Sequence, residues 1–291
     1  MFSAYLIHVS IIVGIYIILA VSLNLVVGYA GLLNFGHIAF FGLGAYTSVL
    51  LNFAGVPYIM SMMAGGALAS VCGAMLAMLT NKLRGDYLAL ATLGFSFVVY
   101  AILMEWEPVT RGALGLPGIK RPSFFGLVLQ TNWQYLIFVT LMVVLIVLFV
   151  NRLVHSPYGR LMGAMRDDEI GAMSLSKNVF RLKYQAMAIG AFLAGLAGSI
   201  YAHYISFIDP SSFFLSDLIV IFTIIIVGGL ASLRGTIVAG IIILLLPEML
   251  RFLSLPSSML GALRNIFFAL ILLTVLLFNP RGLFGKLKDE K

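Results

Sequence analysis

Long apolar runs recur along the chain, and short polar or Gly/Pro-marked connections separate them. A helix needs about 20 mostly apolar residues to cross the hydrocarbon core of a bilayer. Residues 136–150 form such a run with no charged side chain, whereas an amphipathic helix of a soluble domain would carry a charged face. The pattern therefore predicts an all-α integral membrane protein with a single transmembrane domain over residues 1–291.

The apolar runs and helix-breaking residues predict about nine transmembrane helices, and between eight and ten are compatible with the pattern. Glycines interrupt the second run, among them Gly31, Gly36 and Gly44. The segment near residues 28–52 is therefore expected to be broken or re-entrant and packed inside the protein. The predicted spans lie near residues 5–27, 31–52, 57–80, 87–104, 132–150, 184–206, 214–231, 236–253 and 262–279.

Composition strengthens the membrane interpretation and excludes two other classes. Hydrophobic residues make up 62% of the chain and charged residues 10%, whereas a soluble domain has about 25% charged residues. A β-barrel would need alternating segments of roughly ten residues, but residues 237–246 are apolar throughout. The net charge of +7 comes from basic residues dispersed among the predicted spans, which argues against nucleic-acid binding.

The basic residues also predict an orientation. Cytoplasmic loops of membrane proteins carry an excess of Lys and Arg. The longest charged connection, residues 151–183, is therefore expected in the cytoplasm, and counting spans from it places the N-terminus outside and the C-terminus inside. Its basic residues are Arg152, Arg160, Arg166, Lys177, Arg181 and Lys183.

Residues 158–175 of this loop are predicted to form a short helix with an apolar side and an exposed charged cluster. The apolar contacts are expected from Leu161, Met165, Ile170 and Met173. Two interpretations are open, a solvated surface helix or a coupling helix that docks against a cytoplasmic motor. The candidate coupling residues are Gly159, Arg160, Arg166, Asp167, Asp168, Glu169, Gly171 and Ala172.

Several local sequences carry a resemblance to a known family. They include Asn-Leu-Val-Val-Gly-Tyr-Ala-Gly-Leu-Leu-Asn-Phe-Gly-His at 24–37, Arg-Gly-Asp-Tyr-Leu-Ala-Leu-Ala-Thr-Leu-Gly-Phe at 84–95 and Met-Arg-Asp-Asp-Glu-Ile-Gly-Ala at 165–172. In this order, and with residues 194–198 and 280–285, they resemble the LivM-type permeases of bacterial branched-chain amino-acid ABC importers. The loop departs from the family at Gly171, where an alanine is common.

The resemblance implies a permease subunit that imports leucine, isoleucine, valine or a related small amino acid across the bacterial inner membrane. Its implied partners are a second permease, two cytoplasmic ATPases, an extracytoplasmic binding protein and the surrounding lipid. An importer of urea or short amides with the same architecture is an alternative. The chain contains no Gly-x-x-x-x-Gly-Lys-Ser/Thr phosphate loop, so ATP hydrolysis is expected in the partners, with no cofactor or enzymatic activity in this chain.

Polar side chains inside predicted spans are candidates for the translocation pathway, because burying them in a membrane is costly. Each also has a structural interpretation: hydrogen bonding between helices for the asparagines, packing for the histidine, and bonding to their own backbone for the hydroxyls. The candidates are Asn24, Asn34, His37, Thr92 and Ser96.

Two rival classes are less well supported by the sequence. An intramembrane enzyme would need a catalytic or metal-binding motif, and neither His-Glu-x-x-His nor Gly-x-Ser-x-Gly occurs. A secondary transporter or channel would need charges within its spans to couple ions, and the middle of the long apolar runs contains almost none.

Overall fold

The computed structural model describes residues 2–124, 127–174, 178–250, 257–278 and 282–284, and these residues are mostly helical. Among them, six helices are long and apolar enough to cross a membrane, and three shorter apolar helices accompany them. This agrees with the predicted all-α membrane class. The total of nine spans stays a prediction.

The helices follow one another with short connections, and two pairs of very short strands lie between them. The helices are α1 (Phe2–Asn24), α2 (His37–Phe53), α3 (Tyr58–Leu79), α4 (Gly85–Glu105), α5 (Glu107–Thr110), α6 (Asn132–Val154), α7 (Pro157–Asp167), α8 (Glu169–Ser174), α9 (Val179–Ile205), α10 (Leu215–Gly228), α11 (Leu233–Leu250) and α12 (Ser257–Phe278). The strands are β1 (Leu116–Pro117), β2 (Ser123–Phe124), β3 (Leu127–Val128) and β4 (Phe207–Ile208), with β1 antiparallel to β4 and β2 to β3.

Helices α2, α3 and α9 form the most closely packed part of the bundle because glycines line their contacts. A Cβ atom built at Gly198 would lie 1.9 Å from the carbonyl oxygen of Phe41, and one built at Gly44 would lie 2.2 Å from that of Gly195. Small residues let helix backbones approach in lipid, where the hydrophobic effect does not drive association. The close approach of α2 to α9 therefore depends on these glycines.

The predicted break in the second span is present at residues 30–36. Helix α1 continues as a π-helix over Leu25–Tyr29, the next seven residues are not helical, and α2 begins at His37. Gly31 has a φ of 71°, which favours glycine. His37 is fully buried, so α2 begins inside the protein rather than at its surface.

Helix α6 presents an apolar face to the surroundings. Leu141, Val144 and Leu148 on this helix are each about half exposed, at 55%, 48% and 59%. Such a face is expected where a helix contacts lipid, because the lipid tails are as apolar as the side chains.

Candidate functional site

The broken segment, defined as residues 30–36, is held in place by side chains from neighbouring helices. The hydroxyl of Thr92 on α4 accepts a hydrogen bond from the backbone N–H of Phe35 at 3.0 Å and donates one to the carbonyl of Ala89 at 2.9 Å. The side-chain oxygen of Asn34 accepts from the backbone N–H of Gly36 at 3.0 Å. Two backbone donors that the break would leave unpaired are thus satisfied by buried side chains.

His37 connects the end of the broken segment to α1. Its Nε2 lies 2.8 Å from the hydroxyl of Ser22, and that hydroxyl donates to the carbonyl of Leu19 at 2.7 Å. Because the single hydroxyl proton is already used, Nε2–H must be the donor to Ser22. Nδ1 then accepts from the amide of Asn34 at 3.4 Å, so the neutral imidazole satisfies both partners.

Asn24 does not join this group but fixes a second contact at the end of α1. Its side-chain oxygen accepts from the backbone N–H of Ala231 at 3.0 Å, and its nitrogen donates to the hydroxyl of Thr236 at 2.6 Å. A Cβ at Gly28 would lie 1.9 Å from the side-chain oxygen of Asn24. Asn24 therefore ties α1 to the turn between α10 and α11, as the interpretation of hydrogen bonding between helices predicted.

The five pathway candidates are all buried. Thr92 bonds to its own helix as expected, and it also supports the broken segment. Ser96 lies one turn further along α4 and takes no part in the hydrogen bonds given above. The described residues form cavities beside Tyr29, Arg84 and Phe192. None of the five candidates is among the residues that line these cavities. Asn24, Asn34 and Thr92 accept hydrogen bonds from backbone N–H groups, and His37 bonds to the side chains of Ser22 and Asn34. The role of all five in a pathway stays a prediction.

The prediction of one helix over residues 158–175 is wrong in one respect, because the structure has two helices there, α7 and α8. Helix α7 ends at Asp167 and α8 begins at Glu169, with Asp168 extended at φ −152° and ψ 99°. Asp168 accepts from the backbone N–H of Gly171 at 2.9 Å. The carboxylate thus starts a new helix rather than continuing the old one.

The predicted apolar side of the loop is correspondingly divided between the two helices. Met165 of α7 is buried and Leu161 is partly buried, in agreement with the prediction. Ile170 and Met173 of α8 are instead exposed at 63% and 44%. These two residues are therefore available to contact another protein.

Glu169 also departs from the prediction, because it was expected to be exposed and is only 21% exposed in its side chain. One of its oxygens lies 2.8 Å from Nζ of Lys183 on α9, and the other lies 3.2 Å from Nε of Arg84 before α4. The side chain of Lys183 is 7% exposed. Glu169 therefore joins α8 to two transmembrane helices.

Arg166 joins α7 to the broken segment. Its Nη1 donates to the carbonyl of Gly28 at 3.1 Å, and its Nε and Nη2 donate to Asp167 at 2.9 and 2.8 Å. A Cβ at Gly31 would lie 2.6 Å from Cγ of Arg166. Only a residue without a side chain fits under Arg166, so the loop packs directly on the start of the break.

The remaining candidate coupling residues shape α7 and α8. A Cβ at Gly159 would lie 2.1 Å from the carbonyl oxygen of Val154, which explains the tight turn from α6 into α7. Arg160 is exposed on α7, and Ala172 is buried on α8. A Cβ at Gly171, where the family commonly has alanine, would lie 2.5 Å from Asp168 Oδ2.

Four side chains of these networks were not singled out from the sequence as site residues, namely Ser22, Thr236, Arg84 and Lys183. Ser22 has no local signal, because a serine in an apolar helix commonly bonds to its own backbone. Lys183 was used only to predict orientation, and Arg84 was named only as the first residue of the family motif at 84–95. The position of Lys183 in the first turns of an apolar helix was a usable signal, since a cation buried there needs a carboxylate partner.

An apolar helical bundle with a buried helix break and a charged loop packed on that break is the architecture of a multi-pass membrane transport protein. The chain belongs to the family described as "Branched-chain amino acid transport system / permease component", whose profile matches residues 5–276. The resemblance inferred from the sequence motifs is thereby confirmed. No solved structure matches the chain.

Curated relatives include two kinds of permease protein. The chain is 33% identical to the high-affinity branched-chain amino acid transport system permease protein LivM of Escherichia coli K12, over all of this chain and 72% of the relative. It is 25% identical to the probable LivM protein of Methanocaldococcus jannaschii, over 93% and 90% of the two chains. It is also 25% identical to the E. coli K12 permease protein LivH, over 95% and 93%.

Thr92 can be tested against a matched threonine. We expect Thr92→Val to destabilise the protein by ~1–3 kcal/mol, because the N–H of Phe35 loses its buried partner. Thr223→Val is the control, since Thr223 is equally buried but donates only to Ile219 of its own helix. Thermal unfolding of the purified protein in detergent measures the difference. Equal effects of the two substitutions would show that Thr92 does not support the broken segment.

Glu169 can be tested against its neighbour Asp167. We expect Glu169→Gln to cost on the order of 3 kcal/mol, because it leaves the buried ammonium of Lys183 without a counter-charge. Asp167→Asn should cost less than about 1 kcal/mol, because its carboxylate is 67% exposed. Thermal unfolding at fixed salt measures both. If the two substitutions lower stability equally, Glu169 does not hold the loop to the spans.

Proposed function

We propose that this chain is the permease subunit of an ATP-driven importer whose cargo is leucine, isoleucine, valine or a related small amino acid. The family match over residues 5–276 is the observation that carries the proposal. The names of the LivM and LivH relatives, which describe them as branched-chain amino acid transport permease proteins, support the same cargo.

The proposed assembly contains a second permease, two cytoplasmic ATPases and an extracytoplasmic binding protein. Similarity to both LivM and LivH supports a pair of related permeases, because both relatives are aligned over most of their length. The chain has no phosphate loop, which supports the assignment of ATP hydrolysis to the partners. No cofactor is proposed for this chain.

The proposed topology is a single permease domain with nine spans in the cytoplasmic membrane, the N-terminus outside and the C-terminus inside. The cytoplasmic side holds the loop 151–183. The contacts of Glu169 support this arrangement, because they bring the loop to Arg84 at the start of α4. Arg84 and the loop are thus on one side of the bundle, as the orientation by basic residues requires.

The proposed mechanism is alternating access driven by the ATPases. Ile170 and Met173 are exposed on α8 and are the proposed ATPase contacts, while Glu169 and Arg166 face the spans. A movement imposed on α7 and α8 would reach the broken segment through Arg166. ATP can shift the conformation only if the ATPases bind the loop differently in the two states.

The transport function is tested with the complex co-purified through this subunit and placed in proteoliposomes with saturating binding protein. We expect uptake of labelled leucine that requires ATP, the ATPases and the binding protein together. An ATPase variant unable to hydrolyse ATP is the control. Binding-protein-stimulated ATPase activity without leucine uptake would contradict the cargo, and labelled urea or acetamide would then be tried. Absence of any ATPase partner would contradict the importer itself.

The proposed ATPase contact is tested by placing a charge on α8. We expect Ile170→Glu to reduce both uptake and stimulated ATPase activity by at least about tenfold, because it puts a charge into an apolar contact. Ser174→Glu is the matched control, since Ser174 is exposed on the same helix and donates only to Ile170 of that helix. Equal activity of the two variants in well-expressed complexes would contradict the assignment of α8.

A further inference from the structure

A cavity lined by both polar and apolar side chains lies between the last residues of the π-helix that continues α1, the end of α6 and the beginning of α11. Its volume is about 470 Å³. The backbone N–H groups of Leu283 and Phe284 donate to Val227 and Gly228 at 2.8 and 3.1 Å, which places Phe284 at the rim. The cavity is lined by Tyr29, Asn151, His155, Ser232, Arg234 and Phe284.

The side chains that line this cavity suit an anion. Arg234 carries a permanent positive charge and several N–H donors. Ser232 accepts from the backbone N–H of Gly235 at 3.2 Å, so its hydroxyl proton is left to donate. The amide of Asn151 and the phenol of Tyr29 add further donors. Among the described residues that line the cavity, none carries a carboxylate.

The ring of His155 is held in a fixed position at the cavity. Its Nδ1 donates to the carbonyl of Asn151 at 2.7 Å. Ser232 immediately precedes α11 and Arg234 lies in its first turn, so the positive end of that helix also lies beside the cavity. Charge and hydrogen-bond donors thus converge on one space.

An apolar path leads along α6 to the cavity. Leu141, Val144 and Leu148 follow one another at spacings of three and four residues, and Asn151 and His155 continue the same spacing. Residues at this spacing share one face of a helix. The three apolar side chains are about half exposed, so an acyl chain lying on α6 would bring its headgroup to the cavity.

We propose that this cavity binds the phosphate headgroup of an anionic phospholipid from the cytoplasmic leaflet. Arg234 and the donors around it hold the phosphate, and the exposed face of α6 holds an acyl chain. The proposal requires the membrane topology proposed above but not the identity of the transported cargo. Free phosphate carries the same charged group as the lipid but has no acyl chain. Binding of the lipid can therefore be distinguished from binding of free phosphate by experiment.

The test uses the full chain purified with its partner subunits and titrated with dioctanoyl phosphatidylglycerol, with binding followed by native mass spectrometry. We expect Arg234→Gln to weaken binding about tenfold, the effect of losing one charge-assisted contact. Arg152→Gln is the matched control, because Arg152 is exposed at the same end of α6 but does not line the cavity. Its affinity should match that of the unmodified chain.

Equal lipid affinity in all three proteins would overturn the proposal. A parallel titration with inorganic phosphate distinguishes a lipid-binding site from a site for free phosphate. Tight phosphate binding that depends on Arg234, with no binding of the lipid, would also overturn the lipid assignment. If Arg234→Gln does not assemble, Tyr29→Phe provides the second variant, because it removes a phenol donor from the cavity lining. Unchanged lipid affinity in that variant would overturn the site.

Discussion

The structure depends on one constraint, the need to satisfy backbone hydrogen-bonding groups where a helix is broken inside an apolar bundle. Residues 30–36 interrupt the path from α1 to α2, and water is excluded from most of that region. An unpaired backbone group there would cost about 1–3 kcal/mol, the range found when a buried polar group in a protein loses its partner. Buried side chains of Asn34 and Thr92 supply the partners. The polar residues within these spans are thereby explained first as supports of the backbone.

The same constraint connects the interior of the bundle to the loop that forms α7 and α8. Because the π-helix and the break leave the carbonyl of Gly28 accessible, Arg166 of α7 can donate to it. The absence of a side chain at Gly31 lets α7 pack against the break. On the other side of the loop, Glu169 binds Lys183 and Arg84. The loop is held at two places, one beside the broken segment and one on Lys183 of α9 and on Arg84 before α4, and the coupling role proposed above rests on these contacts.

Much of this architecture could be predicted from the sequence, because membrane-crossing helices leave a strong pattern of apolar length and flanking charge. The glycines near residue 31 correctly predicted a broken span. The division of the loop helix at Asp168 could not be predicted, since an aspartate fits either a helix surface or the start of a new helix. The burial of Glu169 was also missed. Arg84 lies on another connection, before α4, and Lys183 lies on the following helix, α9. Only the fold brings these two charges to Glu169.

Hydrogen–deuterium exchange of the complete complex tests the link between loop and membrane most directly. Peptides covering residues 30–36 and 157–167 would be compared with and without a non-hydrolysable ATP analogue. We expect both segments to change their exchange on nucleotide binding. We also expect Arg166→Gln to abolish the response of residues 30–36 while α7 still responds. A full response of residues 30–36 in that variant, or no response in the unmodified complex, would contradict these expectations.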